Sequence, residues 1–227
     1  MSRFLATIPA ALRPTITAFT TDMWEGYVNA VEEFRAAHPD MTAVLVIDRF
    51  HMAQQYRNDF DEFRKAEFKQ MKKNLPPETY DQDCKGTLWL LRHNQADLDQ
   101  AAQDRLHRLF AHAPRLQQAY RLREELTALF NTAHTPSEAA VQLEGWILKV
   151  QTASLPCFDA FIKTLRTHWQ PILNYFVARV TSAFVEGLNT KIRTITRRCY
   201  GIRKLSTLFQ RLWLDLEGLD RFFLSTP

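Results

Sequence analysis

The spacing of apolar residues changes twice near the start of the chain, and these changes predict a strand–helix–strand unit. Residues 15–21 (TITAFTT) are rich in Thr, Ile and Phe, which favours a short strand. Residues 23–38 carry apolar side chains at helical spacing and end at a Pro-Asp pair. Residues 42–48 (TAVLVID) form a continuous, largely β-branched run, typical of a strand buried on both faces in a parallel sheet. Together the three segments predict a βαβ unit.

An acid follows each predicted strand. Asp22 comes directly after the first strand, and Asp48 ends the second. Because α/β sheets place their sites at the carboxyl ends of parallel strands, we expect both acids at one edge of the sheet.

The remainder of the chain has a helical pattern. At the start, Phe4, Leu5, Ile8 and Leu12 predict an amphipathic helix rather than a signal peptide. Helical runs continue from Gln54 to about residue 170, with breaks at NLPPETYDQD, AHAP, NTAHTPSE and ASLPC. Thr135 followed by Pro-Ser-Glu predicts a helix start. The fold class is therefore α/β but predominantly helical.

The segment TSAFVEGLNTKIRTITRRCYG predicts a late helix with one acid ahead of several bases. On a helical wheel the polar stripe contains Glu186, Asn189, Thr190, Arg193 and Arg197. The opposite side is apolar and is predicted to pack inward; it contains Phe184, Leu188, Ile192, Ile195, Cys199 and Ile202.

Two interpretations of Glu186 stay open on spacing alone. It lies seven residues before Arg193, too far for the i,i+4 ion pair of a solvated helix. It could be an acid favoured near a helix start by the macrodipole. Alternatively, it is a metal-binding carboxylate, and the arginines downstream on the same face bind phosphates bidentately.

Composition adds a mild indication of a polyanionic partner. The net charge is +4 and the sequence pI is near 9.0.

Cys84, Cys157 and Cys199 are widely spaced and odd in number, which fits a reducing cytosol and not a disulfide framework or a zinc site. His107 and His112 are expected to be surface residues. No apolar run is long enough for a membrane helix, so we expect a cytoplasmic protein without a membrane partner.

Two aspartates at strand ends and a glutamate on a late helix are typical of two-metal phosphoryl transfer. Such sites use two Mg²⁺ ions held by carboxylate oxygens.

Several motifs resemble the DDE transposases of insertion sequences, specifically the ISL-three group. They are TTDMWEGY, VIDRFHM, LPCFDAFIKTLRTHWQPILNYF and TSAFVEGLNTKIRTITRRCYGIRKLSTLFQRL. The resemblance covers essentially the whole chain. It implies a ribonuclease-H-like sheet with a helical insertion: a partial core at 1–60 (helix, strand, helix, strand), the insertion at 61–170 and C-terminal helices at 171–227.

The resemblance also implies roles for individual residues. Glu186 matches the final catalytic Glu, and Asp22 ranks above Asp48 as the second catalytic Asp. Asp48 and His51 match the D-x-F-H element, where His51 supports the site. Asp22 and Glu186 are the expected ligands of Mg²⁺, and the partner is the double-stranded DNA of transposon ends. The expected DNA-binding residues are Asn189, Lys191, Arg193, Arg197, Arg198, Arg203 and Lys204.

One departure from the family pattern leads to two further expectations. In the family, the first catalytic Asp lies on an earlier strand, after a zinc-binding and helix-turn-helix region, and this sequence begins after that point. We therefore expect a C-terminal part that does not cut DNA alone. We also expect the strand at 15–21 to have an unpaired edge that favours self-association.

Two alternatives remain at this point. The chain could be a DNA-binding protein without catalysis that interferes with, or co-assembles with, an intact transposase. It could also be a helical scaffold whose acids are surface residues.

Overall fold

The computed structural model describes residues 1–132, 135–199 and 204–223. The chain forms two compact units, Met1–Val180 and Thr181–Pro227. None of the helices in the described part combines the length and the apolar character that a bilayer crossing needs. The division at residues 60 and 170 stays a prediction.

The first unit contains the predicted βαβ element. Strands β1 (Ala18–Thr21) and β2 (Val44–Ile47) are parallel, in a register that pairs Ala18 with Val44 and Thr21 with Ile47, and helix α2 (Glu25–Ala36) connects them. The first strand is shorter than predicted: Thr15 belongs to the 3-10 helix Ala10–Thr15, and the strand begins at Ala18.

Strand β2 is buried on both faces, as its β-branched run predicts. Leu45 belongs to a small apolar cluster with Val31 and Phe34 of α2. Val46 and Ile47 belong to the main core of the helical region. All three strand residues are 0% exposed.

The prediction of one amphipathic helix at the start of the chain is wrong. Helix α1 covers only Ser2–Leu5, and the backbone is extended at Pro9 before the 3-10 helix begins. Leu5 is buried, whereas Phe4 and Leu12 are 65% and 53% exposed. A proline in a helix interior removes a backbone donor and clashes with the preceding turn, so Pro9 ends the apolar stripe that the spacing suggested.

The rest of the first unit is helical, as predicted. Its helices are α3 (Arg49–Asn74), α4 (Pro77–Asp83), α5 (Leu88–Arg92), α6 (Gln100–His112), α7 (Pro114–Asn131), α8 (Pro136–Thr152), α9 (Asp159–Thr167) and α10 (Trp169–Ala178). The predicted helix start at Thr135 is confirmed by a capping box with Glu138. The last of these helices, α10, packs against β2. Asn174 Nδ2 on α10 donates a 2.8 Å hydrogen bond to the Leu45 carbonyl of β2. The chain therefore comes back to the sheet after the helices α4 to α9.

The second unit contains α11 (Ala183–Arg198) and α12 (Leu205–Phe223). Lys191 Nζ on α11 donates to the Asp215 carbonyl at 3.0 Å and lies 3.4 Å from its Oδ2 atom. The predicted inward apolar face is correct at Ile195, which is buried, and wrong at Phe184, which is 81% exposed. Within the described part of this unit, α12 is the one helix that packs on α11. Because a single neighbouring helix covers only some turns of α11, Phe184 stays exposed within this unit. Ile202 lies outside the described residues.

Candidate metal and nucleic-acid site

The carboxyl ends of β1 and β2 bring two acids to one edge of the sheet. Thr21 and Ile47 are partners in the parallel register, so Asp22 and Asp48 follow at neighbouring positions. The Asp48 backbone N–H donates to the Thr21 carbonyl at 2.8 Å, which extends the ladder to the edge itself. Thr21 Oγ1 is buried there without a hydrogen-bond partner among the described residues.

Asp48 is held by the N-terminus of α3. It is the N-cap residue, is 1% exposed, and accepts a 2.9 Å hydrogen bond from the Phe50 N–H through Oδ1. Asp is a preferred N-cap residue, and the positive end of the helix dipole favours an anion. Asp48 therefore has a structural role in α3 in addition to any role in a site.

His51 lies in the first turn of α3, beside Asp48. One carboxylate oxygen of Asp48 and one ring nitrogen of His51 lie within 4.8 Å of each other. The ring of His51 also contacts Phe50 edge-on, with centroids 5.6 Å apart. Asp48 and His51 therefore offer one oxygen and one nitrogen ligand from a single helix start.

Asp22 and His51 line the same open groove of about 370 Å³. Asp22 is half-buried and accepts a 3.0 Å hydrogen bond from the Trp24 N–H through Oδ1. The remaining lining residues are Met23, Trp24, Gln54, Gln55 and Asn58. Except for Met23 and Trp24, these are hydrogen-bonding side chains, suited to a polar ligand that extends along α3.

Sequence reasoning did not identify Gln54 and Asn58 as site residues, although a signal for them exists. His51, Gln54, Gln55 and Asn58 follow the i, i+3, i+4, i+7 pattern of one helix face. Trp24 was also missed, although it is 61% exposed and stacks edge-on against Tyr27 with centroids 4.7 Å apart. Aromatic residues exposed beside a polar groove are suited to stacking on bases.

Glu186 lies in the first turn of α11, in the second unit. It is half-buried, and its Oε1 atom accepts a 3.1 Å hydrogen bond from Ser182 Oγ. The helix macrodipole favours an acid at this position, which agrees with the first of the two interpretations of Glu186 given above.

The predicted DNA-binding residues differ in their surroundings. Lys191 is half-buried and bound to Asp215. Arg203 lies outside the described residues. The others are exposed: Asn189, Arg193, Arg197, Arg198 and Lys204.

Cys84, Cys157 and Cys199 are not bonded to one another. All three are free thiols. Burial raises the pKa of Cys157 to about 12 and also raises the pKa of Cys84. His112 contacts Asp83 at 3.0 Å rather than another potential ligand histidine or cysteine in the described chain.

Comparison with known proteins supports the resemblance drawn from the motifs. The family model of the DDE transposases of the ISL-three group, described as "Transposase", matches residues 1–212. The transposase for insertion sequence element IS1001 of Bordetella parapertussis is 27% identical over 219 residues, which are 96% of this chain and 52% of the relative. The transposase for insertion sequence element IS1557 of Mycobacterium tuberculosis is 29% identical over 134 residues, which are 59% of this chain and 30% of the relative. The chain thus spans about half the length, or less, of these curated relatives. No solved structure matches it.

Proposed function

Because the chain belongs to the ISL-three group of DDE transposases, we propose that it acts in DNA transposition, with Asp22, Asp48 and Glu186 in a divalent-metal site for strand cleavage and transfer. The observation that carries the proposal is the position of Asp22, Asp48 and His51 at one carboxyl edge of a parallel sheet. Sheets of this type place their chemistry at that edge. Glu186 enters the proposal through the V-E-G-x-N motif of the family resemblance.

The residues at the sheet edge fit a divalent ion. Carboxylate oxygens are the ligands that Mg²⁺ prefers, and the ion normally keeps several waters. The hydroxyl of Thr21, the residue before Asp22, is buried without a partner in the described chain, and such an unsatisfied group is typical of a site for a water or an ion. Two bound Mg²⁺ ions would supply activation of the attacking oxygen and stabilisation of the leaving oxygen.

We assign different roles to the two aspartates and to His51. Asp22 lines the open groove, whereas Asp48 is buried and caps α3, so Asp22 is the acid closer to a bound strand. Imidazole is a poorer ligand for Mg²⁺ than for transition metals. We therefore assign His51 to orienting the Asp48 carboxylate and the phosphate to be cut, rather than to binding Mg²⁺.

We propose that the small sheet is part of a ribonuclease-H-like fold and that residues 61–170 are an insertion in it. The support is the path of the chain within the first unit. It leaves β2 through α3, builds the helices from α4 to α9, and returns through α10, which packs on β2. An insertion between the second Asp and the final Glu would have such a path.

The exposed arginines of α11 are proposed to bind the DNA backbone. Replacing Arg193 and Arg197 with glutamine is expected to weaken binding to duplex DNA of any sequence. Because each phosphate contact contributes close to one unit of salt dependence, the slope of log K against log salt is expected to fall by about 2. Fluorescence anisotropy over a range of salt concentrations measures it.

The matched control is Lys69→Gln with Lys73→Gln, which removes two exposed charges from α3. An equal loss of affinity in both double variants would mean that net charge, and not the α11 surface, determines binding.

Two sequence predictions stay untested and belong to this proposal. The first is that the 227-residue chain does not cleave DNA by itself; Mg²⁺-dependent cleavage by the purified chain would contradict it.

The second untested prediction is self-association through β1, which in the described chain pairs only with β2. Sedimentation of the wild type and of Thr20→Lys, which places a charge on that strand, tests it. Unchanged sedimentation of the variant would show that this edge is not the contact.

A further inference from the structure

A pocket lined by arginines lies between α3, α5 and α7, within the first unit. Its volume is about 440 Å³, within the range of small-ligand pockets. Four of its lining residues are arginines, and among the described lining residues Asp61 is the one acid. Asp61 is already paired with Arg64 at 2.8 Å. Most of the positive charge in the pocket therefore has no counter-charge within the lining.

Arg123 is a buried cation in this pocket. It is 4% exposed, and its guanidinium donates to the carbonyls of Leu91 and His93 at 2.6 and 2.8 Å. Its Nε atom has no hydrogen-bond partner, and no carboxylate in the described chain forms an ion pair with it. The rings of Tyr120 and Phe60 lie 4.6 and 5.5 Å from its central carbon and hold the plane of the guanidinium.

A buried charge that forms no ion pair is costly. Burial lowers the pKa of the Arg123 guanidinium. Tyr120 and Glu124 nearby raise this pKa in part, and the charge of Arg57 lowers it further. A bound anion would offset the two effects that lower the pKa.

Two further arginines stand at the exposed rim of the pocket. Arg57 on α3 and Arg92 on α5 are exposed, and the guanidinium of neither forms a hydrogen bond or ion pair with another described residue. Their guanidinium groups are therefore available to a ligand. Two planar guanidinium groups from two helices match the multiple oxygens of a phosphate better than a single carboxylate.

We propose that this pocket binds a phosphate group, either of the DNA backbone or of a free phosphate compound. The rim arginines Arg57 and Arg92 bind the oxygens, and the buried charge of Arg123 compensates the anion. The site lies on the helical region and goes beyond the proposed function, which assigns the phosphate contacts to α11. It would add a second point of contact with DNA.

The test compares Arg57→Gln with Arg92→Gln in one chain against the charge-matched control Arg121→Gln with Lys163→Gln. All four residues are exposed, so thermal unfolding is expected to be unchanged in both double variants. If a backbone phosphate is bound, the pocket variant binds duplex DNA about tenfold more weakly, and its salt slope falls by about 1. The control keeps the wild-type values.

Pyrophosphate, titrated by calorimetry without DNA, distinguishes the two sources of phosphate. A tenfold or greater loss of pyrophosphate affinity in the pocket variant, with DNA binding unchanged, assigns the pocket to a free phosphate compound. A loss of DNA affinity with a smaller salt slope assigns it to the backbone.

The inference is overturned if neither ligand is affected, or if the control variant loses as much affinity as the pocket variant. This outcome is separate from the test of α11. The Arg193 and Arg197 variant can weaken DNA binding while the pocket variant does not, and the reverse is equally measurable.

Discussion

Replacing Asp22 with asparagine is expected to lower the affinity of the chain for Mn²⁺, used as a probe for Mg²⁺, by about 100-fold or more. The loss of an outer partner of a metal ligand alone costs 10–100-fold, and the loss of a ligand carboxylate is expected to cost at least as much. Asn keeps a side-chain oxygen for the hydrogen bond from the Trp24 N–H, so the local turn is preserved. Calorimetric titration with Mn²⁺ measures the change.

Asp48→Asn is expected to give the same loss without unfolding α3. Asn is as good an N-cap as Asp, so the bond to the Phe50 N–H is retained and thermal unfolding shifts little. Asp40→Asn, an exposed acid in the same unit, is the control and keeps wild-type affinity. Equal Mn²⁺ affinity in the Asp22, Asp48 and Asp40 variants would remove the sheet edge from the proposed site.

Replacing Trp146 with alanine is expected to reduce the free energy of unfolding by about 3–5 kcal/mol, the cost typical of a large buried aromatic residue. Trp146 is 3% exposed, and its ring packs against Phe158 and Phe161 with centroids 5.5 and 6.0 Å away. Its Nε1–H donates to the Leu122 carbonyl at 2.8 Å and connects α8 with α7. Urea unfolding followed by circular dichroism measures the loss.

Two further tryptophan variants separate the contributions. Trp146→Phe keeps most of the packing and loses the hydrogen bond, and about 1 kcal/mol is expected. Trp89→Ala removes a ring that is 57% exposed, and about 0.5 kcal/mol or less is expected. A Trp146→Ala protein as stable as Trp89→Ala would contradict the core described for the first unit.

The sequence predicted those parts of the fold that depend on interactions between residues close together in the chain. The β-branched run 44–47 is a buried strand because such side chains pack well on both faces of a sheet. Thr135 begins a helix because its hydroxyl and the Glu138 carboxylate bind backbone N–H groups within one turn. Asp22 and Asp48 lie at one edge because parallel strands end together.

The features that were missed depend on contacts distant in sequence or on competing local effects. Periodicity placed Phe4 and Leu12 on one apolar face, but Pro9 prevents the single helix that this face requires. The pairing of Lys191 with Asp215 was not predicted, because no spacing rule connects residues on two different helices.

The arginine pocket could not be predicted either. Its arginines come from three helices and are 7, 28 and 31 residues apart along the chain: Arg57, Arg64, Arg92 and Arg123. Only the packing of α3, α5 and α7 brings them together.

Iron-mediated cleavage of the protein backbone tests most directly whether the proposed acids share a metal site. Fe²⁺ added in place of Mg²⁺, with ascorbate and peroxide, generates radicals that cut the chain next to the bound ion, and mass spectrometry locates the cuts. We predict cuts near Asp22, Asp48 and Glu186 that excess Mg²⁺ suppresses. Cuts at the sheet edge without a cut near Glu186, or no Mg²⁺-sensitive cuts at all, would contradict a shared site.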